Sequence, residues 1–175
     1  VWECPDLFEL PVEGTNEKKW VLVCNINPGG PFGGSATQYF TGTFDGHKFT
    51  CDTKPEVTKW MDYGKDHYAT VSFDNAPDGR RVMIAWMSNW QYANQVPTVQ
   101  FRSANAIARD VYLFRDKGVD YVGSRPVAEM TALRGDAVVS KKATLGELSV
   151  KKMFKTPSGA YEIDLAMAPQ DGATV

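Results

Sequence analysis

The sequence predicts an all-β fold, and three observations support this prediction. Short runs of β-branched and aromatic residues recur along the first 115 residues, separated by turn-forming Gly, Pro, Asn and Asp. No convincing helical periodicity interrupts these runs. The 175 residues are 43% hydrophobic and 23% charged, which is ordinary for a globular protein with a packed core.

The first group of predicted strands forms a four-stranded antiparallel meander. A polar loop around residues 14–16 follows the first strand, and the run Asn27 to Pro31 ends the second. Asp45-Gly46 is a strong hairpin signal between the third and fourth strands. The four predicted strands are residues 7–10, 20–26, 37–44 and 47–51.

A second meander begins about 60 residues after the first. Its predicted strands are residues 68–73, 81–87, 103–107 and 111–114, with a turn at 75–79. Repeated four-stranded meanders are typical of β-propeller blades, and two blades cannot close a ring.

The pattern weakens after residue 122. Residues 125–130 are expected to form a short helix or loop, and residues 161–165 are the clearest later strand. We therefore place a boundary near residue 120, after which a second β-domain begins.

Composition excludes several classes of partner. The net charge is -2 and no run of Lys or Arg is present, so a nucleic-acid partner is not expected. No hydrophobic run is long enough for a membrane-spanning segment. Five Trp and seven Tyr favour carbohydrate binding. The three cysteines lack metal-ligand spacing and do not fix the compartment, although a secreted or periplasmic location is favoured over the cytoplasm.

Glu3 is the first candidate for chemistry. It stands between an aromatic residue and the Cys4-Pro5 pair, where proline favours an extended backbone. A partly apolar neighbourhood would raise the pKa of this carboxyl and allow it to donate a proton near neutral pH. The alternative is an ordinary glutamate at a strand edge.

Five stretches of sequence favour a catalytic role for Glu3 over a structural one. They are residues 2–6 (WECPD), 26–30 (INPGG), 42–46 (GTFDG), 60–69 (WMDYGKDHYA) and 86–92 (WMSNWQY). Together, and in this order, they resemble glycoside hydrolase family 32, which contains invertases, inulinases and levanases. Members of that family combine a five-bladed β-propeller with a C-terminal β-sandwich. The resemblance implies that residues 1–119 form the last two blades and that residues 120–175 begin the sandwich.

The resemblance also implies a chemical role for Glu3. It matches the family's general acid/base, which protonates the glycosidic oxygen and later activates water in a retaining mechanism. Cys4 is adjacent in the sequence, and Tyr63 matches a tyrosine near that acid, so both are candidates for tuning the pKa of Glu3. No metal or organic cofactor is expected, because two carboxylates suffice for this chemistry.

Three further residues match positions around the sugar. Asp62 is expected to orient Tyr63 or to contact sugar hydroxyls, and Asn27 and Trp90 to line the fructose pocket. Each has a structural alternative: Asp62 and Asn27 as turn residues, and Trp90 as a packed aromatic. The predicted strand directions place all of these residues at one rim of the two sheets.

Two motifs of the family are missing from this sequence. Neither the motif that carries the nucleophilic aspartate nor the Arg-Asp-Pro motif is present. Arg109-Asp110 and Arg115-Asp116 lack the following proline and receive no catalytic role. The expected partners are therefore a fructan or sucrose substrate and the missing N-terminal blades, with self-association where those blades are absent. The alternative is a non-catalytic carbohydrate-binding or scaffold fragment.

Overall fold

The computed structural model of the chain describes residues 1–139 and 159–168. The chain divides into two compact units, Val1–Ala128 and Glu129–Val175. The first unit contains two five-stranded antiparallel sheets, which confirms the all-β prediction. Within the described ranges no helix has the length and apolar character needed to cross a membrane.

The first sheet confirms the first predicted meander. Its strands lie in the order β1-β2-β3-β4, and β5 also pairs with β3. The outer position beside β3 is thus shared by two short strands, β4 at one end and β5 at the other. The strands are β1 (Trp2–Pro11), β2 (Lys18–Ile26), β3 (Ala36–Phe44), β4 (Phe49–Cys51) and β5 (Lys59–Trp60).

The second sheet has the order β10-β9-β7-β6, with β8 also paired to β7. Its strands are β6 (Tyr68–Phe73), β7 (Arg81–Met87), β8 (Ala104–Asn105), β9 (Arg109–Asp116) and β10 (Val119–Pro126). The predictions for the first two strands are confirmed. The strand predicted at residues 111–114 is confirmed within β9, but it takes the third place in the sheet and not the fourth. Residues 103–107 contribute only the short β8, and the fourth place belongs to β10, which was not predicted.

The strand β10 was missed because of the turn that precedes it. Lys117 and Gly118 both have positive φ, 48° and 80°, which makes a tight hairpin between β9 and β10. The sequence interpretation treated this turn as the end of the sheet. The second sheet therefore runs past the boundary expected near residue 120.

The hydrophobic core lies between the two sheets. Alternate residues of each strand point inward, so the buried cluster combines side chains of both sheets. Its members are Phe8, Leu10, Val12, Val21, Val23, Tyr39, Met61, Met83, Val111 and Leu113. The opposite face of the second sheet is apolar but open, with Val71 48% and Phe73 55% exposed.

The second unit is described in part. A 3₁₀ helix spans Ala128–Leu133, which overlaps the short helix or loop expected at residues 125–130, whereas Arg125 and Pro126 still belong to β10. The strand predicted at residues 161–165 is wrong: these side chains are exposed and residues 159–168 contain no strand. An alternating pattern becomes a strand only when a neighbour completes the hydrogen-bonded ladder. Much of the predicted β-sandwich falls on residues 140–158 and 169–175, outside the described residues.

Candidate functional site

The loops at one end of both sheets are joined by hydrogen bonds. The amino group of Val1 donates to the Asn27 carbonyl at 2.8 Å. The Asn89 amide nitrogen donates to the carbonyls of Gly33 at 3.2 Å and Lys65 at 3.0 Å. Residues that precede β1 and β6 and residues that follow β2 and β7 therefore share one rim.

Glu3 lies at this rim near the start of β1. The ladder with β2 is interrupted directly after it, where Cys4 has a φ of 42° and forms a bulge. The hydroxyl of Tyr68, a residue that the sequence interpretation did not select, donates a hydrogen bond to the Glu3 carboxylate. Burial, followed by the Glu3 carboxylate itself, raises the pKa of Tyr68, so the phenol stays protonated and remains a donor.

An aromatic series extends from this hydrogen bond to Trp90. The ring centroids of Tyr68 and Trp86 are 6.2 Å apart, and those of Trp86 and Trp90 are 5.0 Å apart. Trp90 is 49% exposed, so part of its flat face is open to a ligand. A carboxylate at one end and a half-exposed indole at the other suit a sugar that stacks on the ring while it meets the acid.

Asn89 fixes the loop that carries Trp90. Its side chain is fully buried, and its amide oxygen accepts a hydrogen bond from the Gln91 backbone N–H at 3.0 Å. The same oxygen accepts from the Ser35 N–H at 3.4 Å. A Cβ at Gly34 would lie 2.0 Å from this oxygen, so only glycine permits the approach.

Asp62 is held by two protein donors. Its carboxylate accepts hydrogen bonds from Arg109 at 2.7 Å and from the Gly64 N–H at 2.7 Å. Burial acts to raise the pKa of Asp62, but these two hydrogen bonds and the Arg109 charge outweigh it, and the pKa is lowered. The structure thus gives Asp62 a turn-capping role, while contact with sugar hydroxyls stays a prediction.

Tyr63 was expected to tune the pKa of Glu3. Tyr63 is 73% exposed on the loop before β6. Among the described residues no hydrogen bond joins Tyr63 to Glu3. The hydroxyl that donates to the Glu3 carboxylate belongs to Tyr68. A tuning role for Tyr63 stays a prediction, as does that of the exposed Cys4 beside Glu3.

A buried polar cluster beneath the rim escaped the sequence interpretation. Hydrogen bonds connect His67 Nδ1 to Thr70 Oγ1 at 3.2 Å, Thr70 Oγ1 to Thr37 Oγ1 at 2.8 Å, and Thr37 Oγ1 to Asn25 Oδ1 at 2.6 Å. Burial, followed by the charge of Arg109, lowers the pKa of His67 to about 4, so the ring is neutral at pH 7.

A signal for these residues was present in the sequence. Asn25 occupies an inward position of a strand whose neighbouring inward residues, Val21 and Val23, are apolar, and a polar residue there requires a buried partner. Tyr68 begins the first strand of its sheet, and Glu3 is the second residue of the first strand of the other sheet.

Comparison with known proteins gives consistent results. Residues 1–123 match the family described as "Glycosyl hydrolases family 32 N-terminal domain". A levanase from Bacillus subtilis is 44% identical over 99% of this chain and 26% of its own length.

Two solved structures are also similar to the chain. A crystal structure of exo-inulinase from Aspergillus awamori has a TM-score of 0.68 and 42% identity, over 72% of this chain and 26% of that chain. A β-fructofuranosidase from Schwanniomyces occidentalis, solved with fructosyl-erythritol, has a TM-score of 0.64 and 42% identity, over 72% of this chain and 25% of that one. The chain thus spans about a quarter of the length of each of these three proteins.

Proposed function

Because the chain belongs to glycoside hydrolase family 32, we propose that it is part of an enzyme that cleaves β-fructofuranosidic bonds in fructans or sucrose. Glu3 acts as the general acid/base in this proposal. The observation that carries it is the hydrogen bond from Tyr68 to the Glu3 carboxylate at a rim that also presents the half-exposed Trp90.

In the first step Glu3 gives its proton to the glycosidic oxygen as the bond to fructose breaks. A carboxylate on the other face of the sugar forms the covalent intermediate. Glu3, now ionised, then takes a proton from the water that releases fructose, so the product retains its configuration. Tyr68 orients the Glu3 carboxylate throughout, because its hydroxyl stays a donor.

The nucleophilic carboxylate is supplied by sequence outside these 175 residues. Asp62 at the rim is ion-paired with Arg109 at 2.7 Å, and Asp66 accepts a hydrogen bond from the Tyr92 hydroxyl, so each already has a structural partner. The two sheets are two consecutive blades of a five-bladed propeller, and the residues that follow the second sheet begin a β-sandwich. The missing blades complete the ring and bring the nucleophile to Glu3.

The substrate is a fructosyl sugar. The names of the similar proteins cover levanase, exo-inulinase and β-fructofuranosidase, and one was solved with fructosyl-erythritol. Trp90 stacks on the sugar, and Asn27, whose backbone is tied to Val1 by a hydrogen bond of 2.8 Å, lies on the neighbouring loop of the pocket.

The test is Glu3→Gln in the complete protein. Glutamine keeps the shape of the side chain but does not transfer a proton, so turnover of sucrose, inulin or levan should fall by about 10²- to 10⁴-fold. Fructose binding should be largely kept, since no apolar contact is removed. Near-normal turnover by a correctly folded variant would show that Glu3 is not the acid/base.

Stereochemistry supplies a second readout. NMR of the product formed in the first minutes should show β-fructose, as retention requires. Early α-product would exclude the two-step mechanism while leaving the family assignment intact. A second candidate, a carbohydrate-binding protein without catalysis, rests on the half-exposed Trp90 and predicts that the complete protein binds sugar but releases no fructose.

A further inference from the structure

The side chain directly opposite Glu3 in the β1–β2 ladder is Asn25, and it is fully buried. Its amide nitrogen donates to the carbonyls of Cys4 and Thr70, both at 3.2 Å. Its amide oxygen accepts from the Thr37 hydroxyl at 2.6 Å and from the Thr70 N–H at 3.0 Å. All donor and acceptor positions of this amide are used, so its orientation is fixed.

These contacts join the irregular points of two different sheets. The β1–β2 ladder is interrupted directly after Glu3, where Cys4 has a φ of 42°. The β6–β7 ladder is interrupted directly after Tyr68, where Ala69 has a φ of 50°. At a bulge the backbone loses ladder partners and needs others, and Asn25 supplies them on both sides.

We propose that Asn25, oriented by Thr37, is a positioning residue for acid catalysis. It holds the two bulges at a fixed separation, so that the Tyr68 hydroxyl meets the Glu3 carboxylate. The inference rests on the proposed role of Glu3.

The exposure of Glu3 explains why such a device is needed. The Glu3 side chain is exposed, so packing around it does not fix its position. Its placement depends instead on the backbone from which it projects and on the hydrogen bond from Tyr68. A small shift between the two bulges changes the donor–acceptor distance directly, and misplacement by about 1 Å reduces catalysis by about 10²-fold.

The experiment compares two substrates in the complete protein. Sucrose has a sugar leaving group that requires protonation, whereas an aryl β-fructofuranoside releases a phenolate that departs without it. Thr37→Val keeps the size of the side chain but removes the hydroxyl that orients Asn25. We expect kcat/KM on sucrose, which reports only the steps up to cleavage of the glycosidic bond, to fall by about 10- to 100-fold. The value of kcat/KM on the aryl fructoside should be nearly unchanged, because its leaving group needs no proton from Glu3. The water step that follows uses Glu3 with both substrates, so kcat does not separate them.

Two further variants sharpen the test. Thr37→Ser keeps the hydroxyl and should restore kcat/KM on sucrose. Asn25→Leu removes the amide itself and should show the same leaving-group dependence as Thr37→Val. This variant is informative only if circular dichroism shows a native fold. If Asn25→Leu does not fold, Thr37→Val decides the test.

The matched control is Thr41→Val. Thr41 is on the same strand and is equally buried, but its hydroxyl contacts Lys59 at 3.4 Å rather than Asn25. Both substrates should react at the original rate in this variant.

Three outcomes are separable. Equal loss of kcat/KM on both substrates in Thr37→Val would show a purely structural role and overturn the inference. Unchanged kcat/KM on both would overturn it as well. Full activity of Glu3→Gln on sucrose would instead overturn the proposed function, whatever Thr37→Val shows.

Discussion

The two sheets use one backbone plan for two different chemical tasks. In each, the first strand carries a bulge with a positive-φ residue, Cys4 in one sheet and Ala69 in the other. The residue just before the bulge points into the rim, and it is Glu3 in the first sheet and Tyr68 in the second. The same position thus supplies an acid in one sheet and the donor that orients this acid in the other.

The partner strands differ in the same way. Asn25 lies opposite Glu3, whereas Trp86 lies opposite Tyr68. In the first sheet the residue opposite Glu3 is therefore a hydrogen-bonding amide. In the second sheet the residue opposite Tyr68 is an indole that packs against Trp90. Repetition of a blade fixes where side chains project, while the local sequence decides what each blade contributes.

The largest expected effect comes from studying the 175-residue chain without the remaining blades of the proposed propeller. The purified 175-residue chain should release no fructose, because Glu3 without an opposing carboxylate forms no covalent intermediate. It should also self-associate, since Val71 and Phe73 leave an apolar face of the second sheet open.

Assays on sucrose, inulin and levan together with light scattering test both parts. Val71→Lys, on that open face, should shift the scattering towards smaller species without affecting the core. Clear fructose release from a monodisperse monomer would contradict the proposal that the nucleophile lies outside the chain.

Much of this architecture could be predicted from local patterns. The first meander and the strands 68–73 and 81–87 follow from β-branched runs and strong turn signals, and the comparisons confirm the family resemblance based on five motifs. The hairpin at Lys117-Gly118 was missed because it requires a non-glycine residue at positive φ, for which lysine gives no signal.

The partner of Glu3 could not be assigned from sequence spacing. Tyr63 and Tyr68 are only five positions apart, and both precede or begin the same strand. The three-dimensional structure distinguishes them. Tyr63 lies on a loop and is 73% exposed, whereas Tyr68 lies on a strand of the second sheet, is 3% exposed, and reaches Glu3 on the first sheet with its hydroxyl. Long-range contacts of this kind follow from the packing of two sheets rather than from local pattern.

A second prediction removes the donor that the second sheet contributes. Tyr68→Phe keeps the ring beside Trp86 but loses the hydroxyl that bonds to Glu3. A hydrogen bond to a charged group contributes about 1.5–3 kcal/mol, so kcat on sucrose should fall by about 10- to 100-fold. This loss should be smaller than that of Glu3→Gln.

The matched control for that change is Tyr39→Phe in the first sheet. Tyr39 is equally buried, and its hydroxyl accepts a hydrogen bond from the Val122 N–H at 3.2 Å, which is a core contact away from Glu3. Its loss should lower the thermal midpoint but leave kcat in place. Equal kcat losses in both variants would mean that Tyr68 acts through stability alone.

The smallest expected effect is on the pH dependence of stability. It concerns the residues directly before Glu3 and Tyr68, which are the exposed Trp2 in the first sheet and the buried His67 in the second. The pKa of His67 is lowered from 6.5 to about 4, so between these pH values the unfolded chain binds more protons at this site than the folded protein does. Stability should therefore fall as pH drops through this window, by at most about 1.4 kcal/mol per pH unit.

His67→Asn tests this assignment, because the asparagine amide keeps a hydrogen-bonding group near the position of Nδ1 but does not titrate. The thermal midpoint of the complete protein should then depend less on pH between 6.5 and 4 than that of the original protein. The matched control is His47→Asn at the other histidine of the chain, which is exposed, and this variant should leave the pH dependence unchanged. Parallel pH curves for His67→Asn and the original protein would show that the acid sensitivity arises elsewhere, and that the second sheet does not differ from the first in this respect.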